Sequence, residues 1–270
     1  MKLADRLKSI EKAECSKALD SNLPLMVRID GRCFSKFTRS LNQPFDMGFC
    51  KLMDETTQFL MKETDAKMAY TQSDEITLSF YNDKENYSNS EYMFGGKIQK
   101  LTSVFASMAT SYFVAYMREY IGVTDKLPQF DCRVWNVNTV EDTALNYVWR
   151  YRDCIRNSVC MYARSFFSHK QLQGKNTNEI RDMLKSIDKP WEKLTPRIRF
   201  GQIYKIQAKM VMLTNEELQK IPEQFRSPLK LEPVIRNSIV SVPGNHESCI
   251  LDSERIFKTV NEVYGVNSNE

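Results

Sequence analysis

Segments with a strand's period and segments with a helix's period follow one another in a fixed order, and few folds accept it. Leu25-Met26-Val27-Arg28-Ile29-Asp30 reads as a short buried strand between Pro24 and Gly31. Asp46 can cap a helix running to about Thr64, with Phe49, Leu52, Met53, Thr56, Phe59 and Leu60 on one face. Lys67 to Phe80 predicts a hairpin with Ser73-Asp74-Glu75 at its turn, and Asn82 to Ser90 a polar loop. Gly96 to Tyr120 predicts a long helix and Phe130 to Trp135 a further strand. The order is β-α-β-β-α-β, that of an antiparallel ferredoxin-like sheet with helices on one face. Nucleotidyl-transferring palm domains use this order too, but order alone does not assign a function.

The flanks extend this unit. Leu3 to Leu19 has a weak helical face. Thr139, with Asp142 three residues later, opens a helix reaching about Ser168. An amphipathic stretch follows from Asn178 to Ile187, then a basic run with Lys193, Arg197, Arg199, Lys205 and Lys209. Ile203 to Val211 and Val234 to Val242 can pair as strands, and Leu251 to Tyr264 reads as a last helix. The expected class is α+β: a ferredoxin-like, palm-like domain over residues 1–170, and a C-terminal α/β extension over 171–270 that packs on it.

Composition narrows the chemistry. Seven Cys with no C-x-x-C spacing and only two His, His169 and His246, argue against a zinc site or a disulfide framework. A reduced cytoplasm is the expected compartment. The longest uncharged stretch, Leu101 to Met117, is too short and too rich in Ser and Thr for a membrane span, and the start lacks an apolar signal core. A net charge of +4 is compatible with an anionic partner without requiring one.

Five features could carry chemistry. Asp30, ending a buried strand before Gly31, is either a turn cap or a metal ligand. Ser73-Asp74-Glu75 is either a solvated hairpin tip or part of a site. In a ferredoxin-like sheet the first and third strands are neighbours, so Asp30 and Asp74 converge. Two carboxylates that close repel unless a cation lies between them. Arg32-Cys33-Phe34-Ser35-Lys36 leaves the strand as a turn whose amides could cradle a triphosphate, or it is an ordinary loop with Phe34 and Phe37 in the core. Lys97 and Lys100 oppose the dipole of the helix they open, a penalty that a polyphosphate would relieve, or they are simply solvated. Arg152 and Arg156, with Arg150 and Asn157 beside them, form either an RNA-facing helix surface or a solvated one with Asp153 as a local partner.

These elements together resemble one family. Arg28-Ile29-Asp30-Gly31-Arg32-x-Phe34, Gln72-Ser73-Asp74-Glu75, Lys100-Leu101-Thr102-Ser103 and Phe130-Asp131-x-Arg133-Val134 resemble the tRNA-His guanylyltransferases over about residues 1–170. The resemblance implies a palm-like enzyme that adds nucleotides to tRNA 5′ ends in the 3′-to-5′ direction, with ATP activating a 5′-monophosphate as an adenylylated end. It implies two Mg²⁺ held by Asp30, the Gly31 carbonyl and Asp74, with Glu75 in support as a third catalytic acid. A nucleoside triphosphate, ATP or GTP or another, would sit on Arg32, Cys33, Phe34, Ser35, Lys36, Ser73, Lys97 and Lys100. Residues 1–170 would be the catalytic domain, the tRNA would lie on Arg150, Arg152, Arg156 and Asn157 and against the 171–270 extension, and the chain would assemble as a homo-tetramer.

Two departures matter. Members that add a single G to tRNA-His carry His-Ile-Asn-Asn after Trp-Arg-x-x-Asp-Cys. This chain has Ile155-Arg156-Asn157-Ser158, which is similar to the Thg1-like branch that repairs 5′-truncated tRNA by templated addition. Where the family often has Lys-Pro, this chain has Gln43-Pro44, so Lys36 or Arg39 would have to replace a phosphate-binding lysine. The rivals are a single-G guanylyltransferase, a non-catalytic RNA-binding protein and, more distantly, a nucleotide cyclase.

Overall fold

A computed structural model describes residues 2–82, 91–122, 125–226 and 234–242. The elements in order are α1 (Leu3–Cys15), β1 (Leu25–Gly31), α2 (Phe34–Phe37), α3 (Met47–Thr64), β2 (Met68–Gln72), β3 (Glu75–Phe80), α4 (Ile98–Ile121), β4 (Phe130–Asn136) and α5 (Val140–Ala163). Then come α6 (His169–Leu172), α7 (Thr177–Ser186), α8 (Pro196–Phe200), β5 (Gln202–Val211), α9 (Asn215–Gln219) and β6 (Val234–Ser241). The expected loop at Asn82–Ser90, from residue 83 on, and the expected helix at Leu251–Tyr264 lie outside the described residues.

Caps explain the helix starts. The Asp46 carboxylate accepts from the Phe49 N–H at 2.8 Å and opens α3. Thr139 and Asp142 form a reciprocal capping box at α5. α1 ends at Cys15 rather than Leu19 and buries none of its residues. Glu75 does not sit in the hairpin turn. It is the first residue of β3, opposite Gln72, and the turn is Ser73-Asp74 with Ser73 at φ 48°.

All pairings in the six-stranded sheet are antiparallel, in the order β4-β1-β3-β2-β5-β6. β1 and β3 are neighbours in the middle of the palm strands, and Asp30 stands opposite Glu75. β5 continues the same sheet at the β2 edge, so the C-terminal segment shares the palm's hydrogen-bond ladder.

The strand period sorts the side chains onto two faces. Leu25, Val27, Ile29, Ile76 and Leu78 pack on one face against α3 and α4, through Leu52, Met53, Leu60, Phe105 and Phe113. These two helices cover one face as expected. The other face is covered as well: Met26, Met68, Tyr70 and Ile203 pack against Ala144, Tyr147, Val148 and Tyr151 of α5. Helices therefore lie on both faces, because the residues intervening along the strands are apolar enough to need cover. The Tyr147 hydroxyl donates into this layer, 3.0 Å from the Met68 carbonyl and 2.9 Å from Ser79 Oγ. Among the described residues no helix is long and apolar enough to cross a membrane.

Candidate active site

Asp30 and Asp74 meet where β1 ends and the β2–β3 turn begins. The Gly31 N–H donates to the Asp74 carbonyl at 3.1 Å, which fixes the turn beside the strand end. Gly31 has no side chain to intervene: a Cβ there would lie 2.8 Å from Asp74 Oδ2. Burial, then the charge of Asp30, pushes the Asp74 carboxyl above its ordinary range. Ser73 Oγ, 3.0 Å from Asp74 Oδ1, works the other way. Among the described residues no group of three or more His, Cys, Asp or Glu is placed to hold a metal ion, but Mg²⁺ takes one or two carboxylates with other oxygen donors, and a buried Asp74 carboxyl that feels the Asp30 charge fits that need.

Phe34 lies directly under Gly31 and anchors the turn that follows. Its ring sits 5.0 Å from Phe37, 4.8 Å from Phe130 and 5.8 Å from Phe113. Cys33 takes φ 58°, the left-handed turn that sends the chain from β1 into α2. Ser35 and Lys36 are exposed on α2. Arg32 is engaged elsewhere: its N–H donates to the Gln129 carbonyl at 2.8 Å and its guanidinium to Gln129 Oε1 at 2.6 Å.

Glu75 faces the α5 side with Arg28 and Asp30, because alternate residues of β1 and β3 share that face. It is buried, 2.8 Å from Arg28 Nη2 and 2.7 Å from Arg150 Nε. Burial raises its carboxyl, and Arg150 and then Arg28 oppose the rise. Arg28 Nη2 also lies 2.7 Å from Asp30 Oδ2.

Two expectations are corrected here. Arg150, expected on the RNA-facing surface, is buried, and Glu75 and Asp153 hold its guanidinium, so it cannot offer a free surface charge. Lys97 and Lys100 are not brought to the carboxylates. Phe105 packs on Phe80, which stands opposite Leu25, so the start of α4 lies at the other end of β1. That end is about 17 Å from Asp30 at ~3.4 Å per residue of strand. Lys97 instead bridges to Ala18, and Lys100 rests 5.7 Å from the Phe94 ring centroid. Arg152 is exposed, as are Arg156 and Asn157, and Asn157 also lines the cleft described next.

A cleft of about 410 Å³ opens from the carboxylates, the size of a small-ligand site. Its walls are the 41–46 loop, the Ser73-Asp74-Glu75 corner and one side of α5 from Arg150 to Arg164. Neither Lys36 nor Arg39 is on its wall. The sequence reading gave Arg28 no role at the site and Asp153 only that of a local partner on a solvated helix face; the signal for both was their period relative to Asp30 and Arg150.

The tRNA-His guanylyltransferase family model matches residues 4–138, half of the chain. The chain belongs to the tRNA-His guanylyltransferase family. This is a family of nucleotidyltransferases, and both converging acids fall inside the matched segment. An uncharacterized protein of Acanthamoeba polyphaga mimivirus is 27% identical over 245 residues, 83% of each chain. The tRNA(His) guanylyltransferase of Schizosaccharomyces pombe is 32% identical over 152 residues, 52% of this chain and 54% of that protein. The chain thus spans about half the length of that curated relative. A bacterial Thg1-like protein solved with ATP superposes with a TM-score of 0.71 at 33% identity, covering 76% of this chain and 88% of that one. One solved with GTP superposes with a TM-score of 0.69 at 26% identity, covering 95% and 96%.

Proposed function

We propose that this member of the family is a Mg²⁺-dependent 3′-to-5′ nucleotidyltransferase that extends 5′-truncated tRNA under the direction of the opposite strand. The convergence of Asp30 and Asp74 across Gly31 carries the reading. The likeness to bacterial Thg1-like proteins solved with ATP and with GTP supports nucleoside triphosphates as substrates.

Asp30, Asp74 and the Gly31 carbonyl are the groups that would hold Mg²⁺. When bound, it would lower the pKa of an attacking hydroxyl and neutralise charge on a triphosphate. This chain's own residues do the rest. Asp30 and Asp74 fix the corner where triphosphate and RNA end meet. The turn at Cys33, Phe34 and Ser35 offers amides to phosphate oxygens, and its position is set by the Phe34 cluster. The exposed Arg152 and Arg156 take the RNA backbone. The cleft then holds the 3′-hydroxyl of the incoming triphosphate in line with an adenylylated 5′ end. Attack forms the new phosphodiester and AMP leaves.

Ile155 supports templated repair over single-G addition. Where single-G enzymes carry His, Ile155 packs half-buried against Val159, Trp191 and their neighbours rather than presenting a polar edge to RNA. The test incubates the protein with Mg²⁺, labelled triphosphates and a 5′-truncated tRNA lacking the His anticodon. Incorporation of the complementary nucleotide, whichever base lies opposite, is expected. Reaction only with tRNAs bearing the His anticodon, or G addition whatever lies opposite, would overturn the assignment to this branch.

A further inference from the structure

A single row of alternating charges runs from the proposed metal corner to the outside of α5. Asp30 Oδ2 lies 2.7 Å from Arg28 Nη2. Arg28 lies 2.8 Å from Glu75 Oε2, and the other Glu75 oxygen lies 2.7 Å from Arg150 Nε. Arg150 Nη2 lies 2.8 Å from Asp153 Oδ2, and Asp153 Oδ1 accepts from Arg156. The middle is buried, with the Glu75 side chain 5% and the Arg150 side chain 8% exposed. The outer end is open: the Arg156 side chain is 65% exposed. Asn157 Nδ2 donates to Asp153 Oδ2 at 3.1 Å and steadies the link next to that end.

We propose that Arg150 is a positioning residue for Asp30, and that this row couples an RNA phosphate at Arg156 to cation binding at Asp30. The proposal rests on the metal reading of Asp30 and Asp74. Each member shares its charge between two neighbours, so strengthening one contact weakens the next. A phosphate that draws Arg156 away leaves Asp153 to Arg150. Arg150 then holds Glu75 less tightly, Glu75 draws on Arg28, and Arg28 releases Asp30. The element with two arrangements is the Arg156 guanidinium, on Asp153 or on phosphate. RNA binding thereby readies the carboxylate, and linkage requires the cation to favour RNA binding by the same factor.

Replacing Arg156 by Met mimics its withdrawal, so the test needs no RNA. Mn²⁺ is titrated into the full chain and followed by electron paramagnetic resonance, in wild type, Arg156→Met, Arg150→Lys and the double variant. Arg156→Met should tighten Mn²⁺ binding at least about twofold, the smallest coupling that such a cycle resolves. Arg150→Lys keeps the charge but loses the fork that reaches Glu75 and Asp153 together. In that background the gain should vanish. The same gain in both backgrounds would mean that charge acts through space, and it would overturn the row while leaving the metal reading intact. Loss of all Mn²⁺ binding in Asp74→Ala is the separate check on the metal reading, and wild type without bound Mn²⁺ would overturn both. Should Arg150→Lys fail to fold, Asp153→Asn breaks the same link: the Arg156→Met gain must disappear there, and its persistence overturns the proposal.

Discussion

Gly31→Ala tests the geometry of the corner with one methyl group. A Cβ at this position would lie less than 3.0 Å from Cγ and Cδ2 of Phe34 and 2.8 Å from Asp74 Oδ2. The ring has nowhere to go. Phe34 is 2% exposed and its ring is hemmed in by Phe37, Phe49, Phe113 and Phe130. Either the end of β1 or the Asp74 carboxylate must therefore shift. Overpacking of this kind costs about 1–3 kcal/mol, which lowers Tm by several degrees. A displacement of about 1 Å at a reacting centre costs on the order of 10²-fold in rate. Thermal unfolding and single-turnover incorporation of labelled nucleotide, measured together, should show a modest fall in Tm beside a fall of about 10²-fold in rate. Adding Phe34→Leu vacates ring volume and should return part of the stability. Wild-type Tm and turnover in Gly31→Ala would refute the claim that this glycine keeps Asp74 against the strand end.

Asp30→Ala and Asp74→Ala should each reduce nucleotide addition on the order of 10³-fold or more while leaving the unfolding transition cooperative. Near-normal incorporation by either would remove that acid from the site. The double variant Arg152→Ala, Arg156→Ala should weaken tRNA binding and flatten its salt dependence, because each lost phosphate contact lowers the slope. GTP affinity should not fall, and a loss of GTP binding as large as the loss of tRNA binding would refute an RNA-facing role for this pair. The Thr214 N–H and the Arg236 guanidinium both donate to the Glu217 carboxylate, and they push it down from 4.5 to about 2. A depressed carboxyl stabilises the fold above its ordinary value and loses that contribution as pH falls toward the lowered one. The Tm difference between wild type and Glu217→Gln should be constant above about pH 5 and should close as pH falls through that window. A difference that widens in acid would contradict the assignment.

Local rules set much of the architecture. The alternation of β1 and β3, the Asp46 cap and the Thr139–Asp142 box act within a few residues, so the order of elements and the pairing of the 203–211 and 234–241 strands were legible in the sequence. The meeting of Asp30 with Asp74 followed from strand order alone, since β1 ends beside the start of β3, and the tight turn that leads from β2 into β3 lies there. Which partner each side chain takes was a different matter. The helix period puts Arg150, Asp153 and Asn157 on one side of α5, but it does not say that α5 crosses the face of the sheet bearing Arg28 and Glu75. Only that crossing turned Arg150 from a surface charge into the buried partner of Glu75. The same holds for Lys97 and Lys100. Their helix start was readable, but the end of the sheet it occupies depends on how α4 packs through Phe105 and Phe113. A sequence specifies caps, periods and turns because those contacts close within a turn or a strand pair. The faces and ends that long helices occupy are decided by burial summed over residues far apart in the chain, and only the folded structure performs that sum.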